Sequence, residues 1–183
     1  MKFKNLFLHL RLVSKHRRQV LKNCRKCGIF WRGFVHDLSK FSPTELFESA
    51  KYYLGTRSPI GVCRWTIGVS HAWLHHKGRN KHHIEYWLDQ DCQVTPMMPY
   101  KYAVECVCDK IAATKIYAKD SYTVDMPYLH WKKYGCKVDG NPKTMAFIEK
   151  VFLDLIDLGE KEVLTRAYMQ KTYKEICLDE ACE

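Results

Sequence analysis

The chain has 183 residues, 30 Lys and Arg against 20 Asp and Glu for a formal charge of +10, and 46% apolar residues. That length and composition predict one globular domain over 1–183 and exclude a disordered chain. No run approaches the roughly 18 apolar residues of a membrane span. The apolar start at Leu6, Phe7 and Leu8 is interrupted by His9, Arg11 and Lys15 before a signal-peptide core forms, so a cytoplasmic protein without a membrane partner is expected. Nine cysteines, an odd number, speak against a disulfide framework and predict reduced thiols. Cys24 with Cys27 and Cys106 with Cys108 lack the second half of a zinc site and are expected to serve as small buried residues.

Charge is unevenly placed. Lys2, Lys4, Arg11, Lys15, Arg17, Arg18, Lys22, Arg25, Lys26 and Arg32 all precede His36 with no acidic residue among them. Such a segment attracts polyanions, or forms only the solvated face of a helix.

Taken in order, the chain reads as helices and short turns. Leu6, Leu10, Val13, Val20 and Cys24 form a helical stripe that stops at Gly28. His16 falls on that stripe, where an imidazole needs a partner because burying it without one costs about 1–3 kcal/mol. A short helix then carries His36-Asp37-Leu38-Ser39-Lys40. Ser42-Pro43-Thr44-Glu45 has capping-box spacing and opens a helix to about Leu54. Pro59 opens a segment through Trp65, Ile67, Val69, Trp73 and Leu74 to about Gly78, and Asn80 is a cap for a short piece through Trp87.

This region holds His71, His75, His76, His82 and His83. The pairs 75/76 and 82/83 flank a turn, and one member of each is expected to face inward. After a loop from Thr95 to Pro99 comes a helix over about Tyr100 to Ala118, with Asp109 on the same face as Tyr102, Cys106, Ala113 and Ile116. A carboxylate there is costly unless paired or metal-bound; pairing with a buried Arg or Tyr is the alternative. Beyond Tyr128-Leu129-His130-Trp131, helices are expected from Asn141-Pro142 and from near Gly159. No strand alternation and no internal repeat is visible.

A neutral imidazole beside a carboxylate suits a divalent transition metal. Adjacent residues on a helix diverge by about 100°, so His36 and Asp37 converge on one ion only at a helix end. The alternative is an ordinary N-cap aspartate.

The order of a helix histidine, a His-Asp pair, a histidine cluster and a helix aspartate resembles the HD-domain superfamily of metal-dependent phosphohydrolases, an all-α helical bundle. The resemblance implies His16, His36, Asp37 and Asp109 as ligands, with His75 or His76 and His82 or His83 completing a second site. More narrowly, His36-Asp37-Leu38-Ser39-Lys40-Phe41-Ser42-Pro43 and the stretch from His75 to Trp87 resemble a small bacterial and phage family of unknown function. The similarity covers about residues 5–120, leaving 121–183 as a C-terminal helical extension. Lys77 stands where some cyclic-dinucleotide hydrolases have a glutamate after a double histidine, and their Gly-Tyr-Pro signature is absent. That activity is disfavoured.

The leading expectation is hydrolysis of a nucleotide or other small phosphate ester with one or two ions of Mn, Fe, Co, Ni or Zn. Asp37 would hold metal at the reaction centre, and Lys40, Arg79 and Lys81 would clamp phosphate. The alternative for Arg79 and Lys81 is plain surface charge. A second reading is an HD-fold di-iron oxygenase. A third is a non-catalytic nucleic-acid-binding protein that uses the basic first helix and a structural metal.

Overall fold

A computed structural model describes residues 3–89 and 94–179; Lys2, Cys92 and Cys182 lie outside these. Among the described residues the fold is all-α, ten α-helices joined by 3-10 turns, with no strand and no helix long and apolar enough to cross a membrane. The helices are α1 (Phe3–Lys26), α2 (Phe30–Val35), α3 (Pro43–Lys51), α4 (Pro59–Ile67), α5 (His71–Lys77), α6 (Tyr100–Ala118), α7 (Met126–Tyr134), α8 (Pro142–Leu158), α9 (Glu160–Val163) and α10 (Arg166–Tyr173).

The helix α6 is the central post. Ala103, Val104, Cys106, Val107, Cys108, Ile111 and Ala112 are buried along it, so its middle is apolar nearly all round rather than striped. One side packs on α1 and α2 and the other on α8 and α10. Val20, Cys24 and Cys27 of the first layer share one core with Phe147, Ile148, Val151, Phe152 and Leu155 of α8 and Met169 of α10. Each large side chain removed from water there contributes about 1.5–3 kcal/mol. The described cysteines are free thiols, all buried except Cys136. Asn23 ties the α1 and α6 layers with an amide N–H to the Cys108 carbonyl at 3.1 Å.

Local signals set most boundaries. Helix α1 stops where Gly28 takes φ +75°. Asn141 accepts from the backbone N–H groups of Lys143 and Thr144 to start α8. Helix α2 crosses α1 closely at Gly33, where an added Cβ would lie 2.7 Å from the Cys24 Cβ.

Three expectations differ from what is observed. The segment from Pro59 to Gly78 is two helices, because Gly68 ends α4 at φ +80° and Ser70 caps α5 through the Trp73 N–H. The helix begun at Ser42 ends at Lys51, before Leu54. The helix near Gly159 is likewise broken, with Thr165 capping α10.

Candidate metal centre

His36 and Asp37 sit where α2 runs out. His36 has φ −52° and ψ 131°, and Asp37 takes the left-handed conformation at φ 53°. A non-glycine residue held there is strained, and the kink turns both side chains towards the same interior point. Asp37 precedes a 3-10 turn, Leu38–Phe41, yet its side chain makes no capping hydrogen bond. The N-cap alternative therefore fails. The kink is held by Arg17 of α1, whose Nε and Nη2 donate to the carbonyls of His36 at 2.7 Å and Phe34 at 2.8 Å. These are helix-end acceptors without intrahelical donors.

Around Asp37 the structure gathers two sets of ligand atoms, each set mutually within 4.8 Å: His16, His36, Asp37 and Asp109, and Asp37, His76, His82 and His83. Asp37 belongs to both, one oxygen to each. Its Oδ2 lies 3.2 Å from His36 Nε2 and 3.8 Å from His16 Nε2, and its Oδ1 lies 3.3 Å from His76 Nε2 and 3.6 Å from His82 Nε2. Asp109 Oδ1 lies 2.9 Å from His16 Nε2 and 3.4 Å from His36 Nε2. Ligands about 2.1 Å from a common ion are separated by about 3.0 Å in octahedral and about 3.4 Å in tetrahedral geometry. The observed spacings fall around those values.

Several of the atoms that face the centre are also unpartnered. His16 Nε2, His36 Nε2, Asp37 Oδ1, His82 Nε2 and His83 Nε2 are buried with no well-aligned hydrogen bond. Isolated orphans of this kind are rare, because each costs about 1–3 kcal/mol. Five gathered about Asp37, divided between the two sets, have the donor chemistry of divalent transition-metal sites, so the residues fit such ions.

Two buried carboxylates stand behind the histidines. Glu105, one helical turn before Asp109 on α6, accepts from His36 Nδ1 at 3.0 Å and lies 3.4 Å from His82 Nδ1; its other oxygen accepts from Arg32 Nε at 2.8 Å. Glu45 of α3 accepts from His76 Nδ1 at 2.8 Å and His75 Nδ1 at 2.6 Å. A proton fixed on Nδ1 leaves Nε2 as the lone pair, and the carboxylate raises its basicity.

Charge follows from these contacts. Burial opposes a charge on His36, but Asp37, Asp109 and Glu105 outweigh it and hold its pKa well above 6.5. Burial lowers the pKa values of His16, His82 and His83 and keeps them neutral. Against burial, His36, Lys40 and His76 hold the Asp37 carboxyl well below its usual range. Likewise His16 and His36 hold Asp109 low, and Glu105 falls to about 2.

The expected ligands thus separate. His16, His36, Asp37, His76, His82, His83 and Asp109 come together, while His75 turns to Glu45 and stands outside both sets. Both His82 and His83 face inward, against the expectation of one from each pair. They lie in a turn rather than a helix, so successive side chains need not diverge by about 100°.

Lys40 reaches the centre, its Nζ 2.5 Å from Asp37 Oδ2. Arg79 and Lys81 are exposed and directed elsewhere: Arg79 Nη1 is 3.5 Å from the His75 carbonyl, and Lys81 Nζ lies over the Tyr86 and Tyr102 rings. Asn80 binds Ser39 Oγ and the His76 carbonyl instead of capping.

Sequence reasoning missed Glu45, Glu105, Arg17 and a further inward histidine, His9. A signal existed for Glu105 in its i, i+4 spacing to Asp109. Glu45 was read as the return half of a capping box, and the Ser42 hydroxyl does accept from the Glu45 N–H at 3.4 Å, but its carboxylate went to the histidines.

Three chambers meet at the centre, each bordered by Ser58. One of about 710 Å³ has His76 and His83 at its floor with Arg57 and Arg64 on its walls. A second, of about 480 Å³, reaches His83 and Asp109 past Lys110 and His130. The third, of about 140 Å³, touches His16, Asp109 and Lys40 from the α1 side.

Fold and site define an all-α protein with a buried cluster of histidines and aspartates able to hold metal. The chain belongs to a family of unknown function, DUF5662, which matches residues 6–154. That match runs through α7 into α8, further than the resemblance over 5–120 implied. No curated protein and no solved structure matches the chain.

Proposed function

We propose that the protein is a metal-dependent phosphohydrolase of the HD type, acting on a nucleotide or other small phosphate ester. The observation that carries this reading is the set of five unpartnered inward atoms arranged about the two oxygens of Asp37. His16, His36 and Asp109 with Asp37 Oδ2 would hold one ion, and His76, His82 and His83 with Asp37 Oδ1 a second. When bound, such ions supply an acidified water and offset the negative charge of a phosphoryl group.

The chain's own residues supply the rest. Glu45 behind His76, and Glu105 behind His36 and His82, orient those three rings with Nε2 towards the centre. Lys40 stands at the wall shared by two chambers, where its ammonium meets a phosphoryl oxygen near Asp37. Arg57 and Arg64 place further cations along the widest approach, a role first assigned to Arg79 and Lys81. The burial of His36 and Asp37, at 0% and 1% exposed, keeps these charges in a poorly screened environment.

The test is a phosphatase screen of purified protein loaded with Mn, Co, Ni or Zn, across nucleotides and generic phosphoesters. Hydrolysis that disappears in His36→Ala supports the reading. Inactivity on every ester with metal bound refutes it. The shared Asp37 and the histidine-rich second set also favour an HD-fold di-iron oxygenase. Protein isolated anaerobically with two irons and an oxygen-dependent spectral change would establish that reading instead.

A further inference from the structure

The smallest of the three chambers carries an inference that rests on the phosphohydrolase reading and extends it to the substrate. We propose that the chamber between α1 and α6 receives the alcohol part of the phosphate ester, and that it takes an uncharged, hydroxylated group about the size of one ring.

Position comes first. The chamber is bordered by His16, Asp109 and Lys40, so a group seated in it adjoins a phosphoryl held at the ligand cluster. Size comes next. At about 140 Å³ it is close to the roughly 150 Å³ cavity that accepts benzene, room for one five- or six-membered ring and not for a sugar and base together.

Chemistry narrows the class. Leu12, Val13, Ile60 and Ile116 give apolar walls, and Ser49, Ser58, Tyr117 and His9 are the polar groups set among them away from the cluster. Burial keeps the Tyr117 phenol protonated. Burial, with Lys40 nearby, brings His9 down to about 4, so the ring is neutral at pH 7. These groups match hydroxyls and leave a second charged group without a partner.

His9 is the strongest single pointer. It lies on the inward stripe of α1 two turns before His16, is 5% exposed, and its Nδ1 has no hydrogen-bond partner. It belongs to neither ligand set. Tyr53 meets the ring edge-on at a centroid distance of 6.0 Å and helps fix its plane. A polar atom so placed is built to meet a ligand or a water that a ligand replaces.

The experiment uses the full chain loaded with zinc, with ring-labelled histidine followed by NMR. Ribose 5-phosphate, phenyl phosphate and inorganic phosphate are the probes. The expected result is that ribose 5-phosphate shifts the His9 ring signals while inorganic phosphate leaves them in place. In His9→Leu, ribose 5-phosphate should bind about tenfold more weakly, phosphate affinity and zinc content should stay unchanged, and phenyl phosphate should become the preferred ester. Tyr117→Phe, which loses only a hydroxyl, should weaken ribose 5-phosphate in the same direction. The proposal is overturned if ribose 5-phosphate fails to bind, if His9 responds equally to inorganic phosphate, or if His9→Leu and Tyr117→Phe leave the preference intact. Binding in this pattern without hydrolysis would overturn the phosphohydrolase reading and keep the pocket.

Discussion

Replacing Asp37 by Asn keeps the outline of the side chain and removes charge at the point both ligand sets share. The carboxylate is 1% exposed, with Oδ2 3.2 Å from His36 Nε2 and Oδ1 3.3 Å from His76 Nε2. An amide offers one oxygen, and its nitrogen only donates. One set therefore loses a ligand, and both lose their share of the negative charge. Substitutions behind the ligands typically cost 10–100-fold in metal affinity, so a ligand shared by two ions should cost at least about 100-fold.

Stability of the metal-free fold should change little, because two effects oppose each other. Breaking a buried ion pair costs about 3–5 kcal/mol when the remaining charge stays buried. The Lys40 side chain is 24% exposed and borders two chambers, and His36, which Asp37 helps to hold protonated, can release its proton when that charge is gone, so neither cation has to stay buried and unpaired and the loss falls well below that figure. The amide also removes the carboxylate's desolvation cost. A net change within about 1 kcal/mol corresponds to a Tm shift of about 2–4 °C at most. Elemental analysis after metal loading and gel filtration, with thermal melts of the metal-free proteins, checks both parts. Full metal content in Asp37→Asn would refute the shared-ligand reasoning, and global unfolding would refute the charge accounting.

Glu105→Gln should bind metal about 10–100-fold more weakly with an unchanged helical circular dichroism spectrum, since the carboxylate orders His36 and His82 from behind. Equal affinity would deny it that role. His76→Ala should lose far more metal than His75→Ala, because His75 stands outside both ligand sets; calorimetric titration of the two variants decides. Gly33→Ala forces a Cβ to within 2.7 Å of the Cys24 Cβ and should cost about 1–3 kcal/mol in urea unfolding. The metal-free protein should lose stability from pH 7 to pH 5. Burial lowers the pKa values of His16, His82 and His83 below 6.5, and that of His9 to about 4. The unfolded chain thus takes up protons at those four that the folded chain refuses. His36, raised by its carboxylates, acts in the opposite sense: its contribution is complete below 6.5 and is lost as pH rises through its folded value. It is outnumbered, and a Tm that climbs on acidification would contradict this.

Long helices with simple punctuation were legible in the sequence. Helix α6 runs from Tyr100 to Ala118, as its stripe and the loop ending at Pro99 predict, and Gly28 and Asn141 mark real boundaries. Gly68 and Ser70 also carried their signals, but the apolar residues recurring on both sides of them, Trp65, Ile67, Val69, Trp73 and Leu74, masked them. At the site, the residue types and their order pointed to His16, His36, Asp37 and Asp109, because an inward histidine or aspartate on an apolar stripe is conspicuous. What remained hidden depends on backbone direction. Which of His75, His76, His82 and His83 turn inward follows from a seven-residue helix and a turn whose geometry no periodicity encodes. Glu45 and Glu105 look like ordinary helix carboxylates until α3 and α6 bring them behind the imidazoles. Arg79 and Lys81 were chosen for proximity in the chain to the histidines, whereas Arg57 and Arg64 approach the cluster only through the fold.

The central claim is that Asp37 joins two metal positions, one with His16, His36 and Asp109 and one with His76, His82 and His83. Anomalous diffraction from a crystal of manganese- or zinc-loaded protein tests it most directly. The account predicts two peaks, one beside each Asp37 oxygen, each within about 2.0–2.2 Å of its ligand atoms. Loaded protein with no anomalous density at Asp37, or with metal held elsewhere on the chain, would contradict it.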